Sequence, residues 1–370
     1  MSIILTLFIF TRPFISSLAF PYLNSAYSFL LCAFIILWIA LKGVNTDFLN
    51  RNKEALALLA LSFIISVAFS NDFEKSLKEL LNYATYIPIM LICSSLNRGK
   101  RNLVIDAILA SAVIISLLGI YQYFSGFNRL SNYIADKHIV NPFVLDYLSR
   151  KRVFFPFVTP NAMGGFLAML LPLTFTIRKP IPFIITTGLA LILTESLGAL
   201  FAAFIAVAVF FYFTRRSKKL ILFAVLAWIV KGTIIFILRS TTVKVHTSPG
   251  FSWQMRLDYI KGAVDIIKKH PFAGVGPGNF NLINSRYAHN SVLQLWSEFG
   301  VFGVFATAWL IISIIRTCLK TADRTTFCLL AGSSAFLIHN LFDFTFFLPE
   351  VSLIWWAIMG LMDSSARQRA

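Results

Sequence analysis

The residues best equipped for chemistry lie between His270 and Gly300, in "HPFAGVGPGNFNLINSRYAHNSVLQLWSEFG". His289 closes the run "RYAHNS" immediately before a long apolar stretch that reads as a helix. The positive end of a helix dipole opposes protonation of an imidazole at the N-terminus, so His289 is disposed to act as a base or hydrogen-bond acceptor. The competing reading is an interfacial histidine packed against Trp296. Upstream, Gly274, Gly276, Pro277 and Gly278 fall within five residues, which breaks helix and strand alike. Such a loop lets backbone amides approach a ligand closely, and successive amides form an anion-binding concavity. The spacing is not that of a nucleotide P-loop, and a plain turn competes with the anion site.

The element that must position this loop precedes it. In "SWQMRLDYIKGAVDIIKKHP", Leu257, Ile260, Val264 and Ile267 line one helical face while Asp258, Lys261, Asp265 and Lys268 line the other. Ser252 is a candidate cap, and Pro271 forces His270 out of helical geometry, so the helix stops there. It is expected to lie along the outer membrane surface, with Arg256 in its first turns facing the site.

The rest of the chain is apolar. Of 370 residues, 58% are hydrophobic, 38 are Phe and only 13% are charged, and mean hydropathy is +0.76. That composition excludes an ordinary soluble domain and predicts an all-α fold: one polytopic transmembrane bundle over 1–370. On the length rule of roughly 20 residues per span, about twelve helices are expected, at 2–20, 27–43, 54–70, 81–96, 103–124, 158–177, 180–195, 197–213, 218–238, 289–315, 325–342 and 346–362.

The formal net charge of +17 is distributed in short clusters between these spans, not gathered into a soluble nucleic-acid-binding patch. Lys42/Arg51/Lys53, Arg98/Lys100/Arg101, Arg178/Lys179, Arg215/Arg216/Lys218/Lys219, Arg316/Lys320/Arg324 and Arg367/Arg369 fall on alternate connections, predicting both termini in the cytoplasm. Two long connections, about 125–157 and 239–288, are then extracytoplasmic. They carry an unusual excess of cations, including Arg129, Lys137, Arg150, Lys151, Arg152, Arg239, Lys244, Arg256 and Arg286, for which an anionic ligand is one reason. Met1 to Tyr22 lacks a basic start and is broken by Arg12-Pro13, so it reads as a retained helix rather than a cleaved signal. Cys32, Cys93, Cys318 and Cys328 have no metal-ligand spacing and read as small buried hydrophobes.

The run from Ser252 to Phe280 followed by "HNSVLQLWSEFGVFG" resembles the O-antigen ligase, O-antigen polymerase and protein O-oligosaccharyltransferase superfamily. "FFPFVTPNAMGGFLAMLLPL" (Phe154 to Leu173) is similar to its Pro-Asn element, and "HNLFDFTFFLPE" (His339 to Glu350) to its late His-x-x-x-Asp element. The resemblance covers about 150–362 and does not select among the members. It implies a metal-independent glycosyltransferase of the cytoplasmic (inner) membrane, with its active site on the extracytoplasmic face and no cofactor. The implied donor is a glycan on polyprenyl (undecaprenyl) diphosphate, and the implied acceptor hydroxyl belongs to lipid A-core, another glycan or a protein, as in lipopolysaccharide or surface polysaccharide biosynthesis. Arg256 would contact the diphosphate and His289 would activate the acceptor, with Arg286, Asn290, Gly274, Gly276, Gly278 and Asn161 as substrate contacts. The family's second arginine aligns with Leu197 in "TESLGAL"; Arg286 or a basic residue of 150–152 substitutes for it, or the activity is altered.

The residues themselves are compatible with this chemistry, because arginines aimed at a diphosphate leaving group stabilise the charge that accumulates as the glycosidic bond breaks. No Asp-x-Asp metal clamp occurs in the chain. Other positions stay open. Asn161 either caps the helix that follows Pro160 or contacts substrate. Glu195 pairs with Arg256 or Arg286, or is a solvated turn. His339 and Asp343, spaced i, i+4 on one helical face, either hydrogen-bond each other as a structural pair or take part in catalysis. Lys231 snorkels or lines a lipid path, and Arg12 is equally ambiguous. A different class, a transporter or flippase of lipid-linked sugars, would place its ionisable groups near the bilayer midplane in repeated halves, and neither feature is evident.

Overall fold

The computed structural model describes residues 1–138, 142–214, 233–234, 237, 249–283, 285–320 and 323–367. The expected span 218–238 with Lys231, the cluster Arg215/Arg216/Lys218/Lys219, and Arg239 and Lys244 lie outside the described residues. Among those described, regular structure is helical throughout: α1 (Ser2–Thr11), α2 (Pro21–Lys42), α3 (Thr46–Ala68), α4 (Phe73–Ser94), α5 (Arg98–Tyr121), α6 (Phe127–Asp136), α7 (Pro142–Ser149), α8 (Pro160–Leu170), α9 (Ile181–Leu193), α10 (Leu197–Phe213), α11 (Pro249–Lys269), α12 (Ser291–Lys320), α13 (Arg324–His339) and α14 (Pro349–Arg367). Three stretches, Pro21–Lys42, Arg98–Asp136 and Ser291–Lys320, are long and apolar enough to cross a membrane.

Helix starts are written locally. Asn45, Asp72, Asn97, Thr159, Ser196 and Asp323 each accept a hydrogen bond from the backbone N–H three residues on, satisfying a donor that the helix leaves orphaned. The centre of the bundle is α14, buried from Val351 to Met362. Its run "VSLIWWAIMGLM" is apolar on nearly every face, as a helix enclosed by others must be. It packs against α4, α12 and α13. Gly360 allows the closest of these approaches, since a Cβ there would stand 2.2 Å from the Met90 carbonyl oxygen.

Three expectations need correction. The first span does not run through 2–20: α1 stops at Thr11, and a 3-10 turn covers Arg12–Phe14 because Pro13 supplies no amide for a continued helix. Arg12 is 1% exposed, donates to Asn24 Oδ1 at 2.5 Å, lies 3.7 Å from Glu350 Oε2 and covers the Tyr27 ring at 4.8 Å. Buried and held in this way, it does not snorkel. Second, the connection expected over 125–157 is largely helical, since α5 passes through a π-turn at Gln122–Gly126 into α6, whose Phe127 and Ile134 are buried, and then α7. Third, α13 ends at His339, so Asp343 lies beyond the helix and shares no helical face with it.

Candidate functional site

The glycine loop is built into a break in α12. At Gly300 the backbone leaves the helix (φ 69, ψ −179), and a Cβ there would fall 1.8 Å from the Phe272 carbonyl oxygen. Only glycine fits. The break exposes carbonyls and an amide of α12 that the loop then satisfies. Val275 N donates to Ser297 O at 2.8 Å, Gly276 N to Glu298 O at 3.1 Å, and Val301 N to Pro271 O at 2.9 Å. Gly278 N donates to Glu298 Oε2 at 3.0 Å, and Gly274 N to His270 O at 3.1 Å. Gly274, Gly276 and Gly278 all hold positive φ (71, 98 and 70). The anion-binding concavity expected of this loop is therefore replaced by internal bonding: the amides of all three glycines are spent on protein acceptors. The loop is also tied to the start of α4, through Asn71 N to Val275 O at 3.0 Å and Asn279 Nδ2 to Ser76 Oγ at 2.7 Å.

His289 lies two residues before α12, outside the membrane-spanning helix, with φ at 50. Its ring stacks on Tyr259 (centroids 5.2 Å apart, 18°) and meets the edge of Phe344 at 4.8 Å and 90°. Both neighbours were invisible as site residues in the sequence. Tyr259 could have been found from its spacing, three residues after Arg256 on the same helical face. Nδ1 of His289 is buried without a hydrogen-bond partner. Burial pushes the imidazole pKa below its ordinary value; Asp343 opposes that shift and Arg256 adds to it, so both charges lie close enough to act on the ring. Asp343 Oδ1 accepts from Phe344 N at 2.8 Å, while Oδ2 is buried with no partner. His339 is 1% exposed, with Nδ1 3.4 Å from Thr345 Oγ1, and presses on Gly165, where a Cβ would stand 2.5 Å from that nitrogen.

Asn290 has a structural job. Its Oδ1 accepts from Leu293 N at 3.0 Å and its Nδ2 donates to Leu341 O at 3.2 Å, so it caps α12 and ties it to the turn after α13. Ser291 strengthens the tie, donating from N to Asn340 O at 2.8 Å and from Oγ to Asn340 Oδ1 at 2.7 Å. Arg286 is exposed and lines a cleft with Lys75, Glu79, Tyr287, Gln294 and Glu298. Tyr287 stacks on Phe344 at 4.0 Å and 7°, so the cleft and His289 share one aromatic wall.

The basic residues ahead of α8 converge on the start of α10, just ahead of Leu197. Arg150 pairs with Glu195, which corrects the expected partnership of Glu195 with Arg256 or Arg286. Arg152 donates to Thr194 O at 3.1 Å and Asn161 Oδ1 at 3.3 Å, lies 3.6 Å from Asp146 and covers the Tyr147 ring at 5.4 Å. Asn161 thus accepts from an arginine, while Thr159 Oγ1 caps α8 by accepting from Ala162 N at 3.1 Å. Among the described residues, Arg256 and Arg286 carry no ion pair.

No curated protein matches the chain. Residues 182–308, which take in Arg256, the glycine loop, Arg286 and His289, match the family described as O-Antigen ligase.

Proposed function

We propose that the chain transfers a glycan from a polyprenyl-diphosphate carrier to an acceptor hydroxyl at the extracytoplasmic face of the cytoplasmic membrane, without a metal ion. The observation that carries this reading is the His289 ring: an imidazole with an unpartnered buried nitrogen, biased toward its neutral form, and flanked by Asp343 and Arg256. In the transfer, the acceptor oxygen attacks the anomeric carbon and its proton passes to the neutral imidazole. The bond between that carbon and the diphosphate oxygen breaks, and the charge left on the diphosphate is met by Arg256. Arg286 is the second cation for the leaving group. Arg150 and Arg152 are already held by Glu195, Asp146, Asn161 and the Thr194 carbonyl, which supports Arg286 over them.

Lipid A-core, a second glycan and a protein hydroxyl all suit the same chemistry as acceptors. Purified protein supplied with polyprenyl-diphosphate glycan and each acceptor class in turn will yield a capped lipid, a lengthened glycan ladder or a modified protein. Absence of all three products, with donor bound, would overturn the transferase reading in favour of a carrier of lipid-linked sugars.

A further inference from the structure

The end of the bundle remote from His289 contains a second cavity, lined by Ser2, Trp38, Lys42, Ser95, Leu96 and Lys100. The first turn of α4 holds the glycine loop, and its C-cap, Ser95, reaches this cavity. The two are thus separated by the 22 residues of α4, about 33 Å at 1.5 Å per residue. This cavity plays no part in the transfer chemistry.

Its lining side chains include two lysines and no carboxylate. A helix N-terminus carries partial positive charge and is stabilised by acidic side chains, as α3 and α4 illustrate with Asp47 and Glu74 in their first turns. The helices that begin at this cavity do the opposite. Neither α1 nor α5 has an acidic residue in its first turn, and α5 opens with Arg98, Lys100 and Arg101. Arg101 is drawn toward Asp323 at 4.0 Å, but the exposed Lys100 and, at the end of α2, Lys42 face the cavity region. Trp38, 5% exposed, also lines it, and its indole N–H has no hydrogen-bond partner. The C-termini of α2 and α4 reach the same space and offset the partial charge of the two helix N-termini, which leaves two ammonium groups and an unused donor as the excess around it. An anion there would relieve the mutual repulsion of these groups.

Apolar residues close in sequence to the lining residues identify the kind of anion. Ile3 and Ile4 on α1, Leu41 on α2 and Leu103 on α5 are 69, 46, 62 and 43% exposed, an apolar surface suited to acyl chains. A soluble phosphate would use the charges and leave this surface idle, whereas a phospholipid uses both. We propose that this cavity seats the phosphate head group of an anionic phospholipid, with its acyl chains lying on the exposed faces of α1, α2 and α5.

The test uses the full chain in mixed phosphatidylcholine and phosphatidylglycerol nanodiscs, with retained lipid counted by native mass spectrometry after detergent exchange. The wild type should keep phosphatidylglycerol in preference to phosphatidylcholine. Lys42→Gln/Lys100→Gln should lose that preference about tenfold, each factor of ten being 1.4 kcal/mol. Lys42→Arg/Lys100→Arg should retain it, excluding misfolding as the cause, and Trp38→Phe should lower it less. Lys179→Gln, a basic-side change outside the cavity, should have no effect. Equal retention in the Gln double variant, equal loss in Lys179→Gln, or a thermal shift from inorganic phosphate matching that from phosphatidylglycerol would each overturn the proposal.

Discussion

The glycine loop and the His289 rim sit side by side and treat their polar groups in opposite ways. In the loop, the N–H groups of Gly274, Val275, Gly276 and Gly278 all end on protein acceptors, and the loop closes the break at Gly300. At the rim, His289 Nδ1 and Asp343 Oδ2 are buried and end on nothing. An unsatisfied buried polar atom costs about 1–3 kcal/mol, so such atoms persist where something other than stability retains them. The difference teaches that a conspicuous glycine loop can be wholly occupied with holding the fold. The groups that the proposed transfer would use are those the fold leaves unpaired.

Substitutions sharpen this contrast, beginning with the largest effect. His289→Ala should lower glycan transfer by about 10²–10⁴ with little change in melting temperature, measured by radiolabelled donor turnover. Arg256→Ala should cost about 10²–10³ in turnover if it meets leaving-group charge, again with the fold intact. Gly300→Ala should behave in reverse. The backbone must abandon a positive φ or displace the Phe272 carbonyl, a strain of about 1–3 kcal/mol, so expression and thermal stability fall first and activity only with them. Asn290→Ala should remove about 1 kcal/mol through the lost cap, visible as a lowered unfolding midpoint; a collapse of turnover at unchanged stability would return Asn290 to the substrate contacts.

The subtlest effect is on pH. The proposed transfer requires neutral His289, so turnover should fall as pH drops through the imidazole pKa, which burial holds below the ordinary histidine value. Asp343 favours the imidazolium and Arg256 disfavours it. Asp343→Asn should therefore move the acidic limb to lower pH, and Arg256→Gln should move it to higher pH in whatever activity remains. A limb that ignores both substitutions would remove His289 as the titrating base.

Much of the helical framework was legible because bilayer-length apolar runs and local caps are written in contiguous sequence. The span expected at 197–213 coincides with α10, and the amphipathic helix ending before Pro271 is α11, although it begins at Pro249, ahead of the expected Ser252 cap. Contacts between distant segments were not legible. Nothing local to Glu195 reveals Arg150, and nothing in the spacing of His339 and Asp343 reveals that the helix ends between them. The aromatic walls of the site were hidden for a simpler reason: with 38 Phe in the chain, Phe344 is one among many until the fold brings it against His289. Arg256, Arg286 and His289 stood out because ionisable residues are scarce here.

The Arg12 pair links sequence positions more than 300 residues apart. Glu350 Oε1 accepts from Ser17 N at 3.2 Å while its other oxygen faces the Arg12 guanidinium, so among the described residues Arg12 finds its carboxylate on α14. A ribosome that has delivered α1 and α2 into the bilayer has left a guanidinium without its counter-ion, and that debt stands until α14 inserts. We therefore expect the N-terminal hairpin to be secured only once α14 is in place, and a truncation ahead of Pro349 should release it to membrane quality control even though every residue of that hairpin is intact.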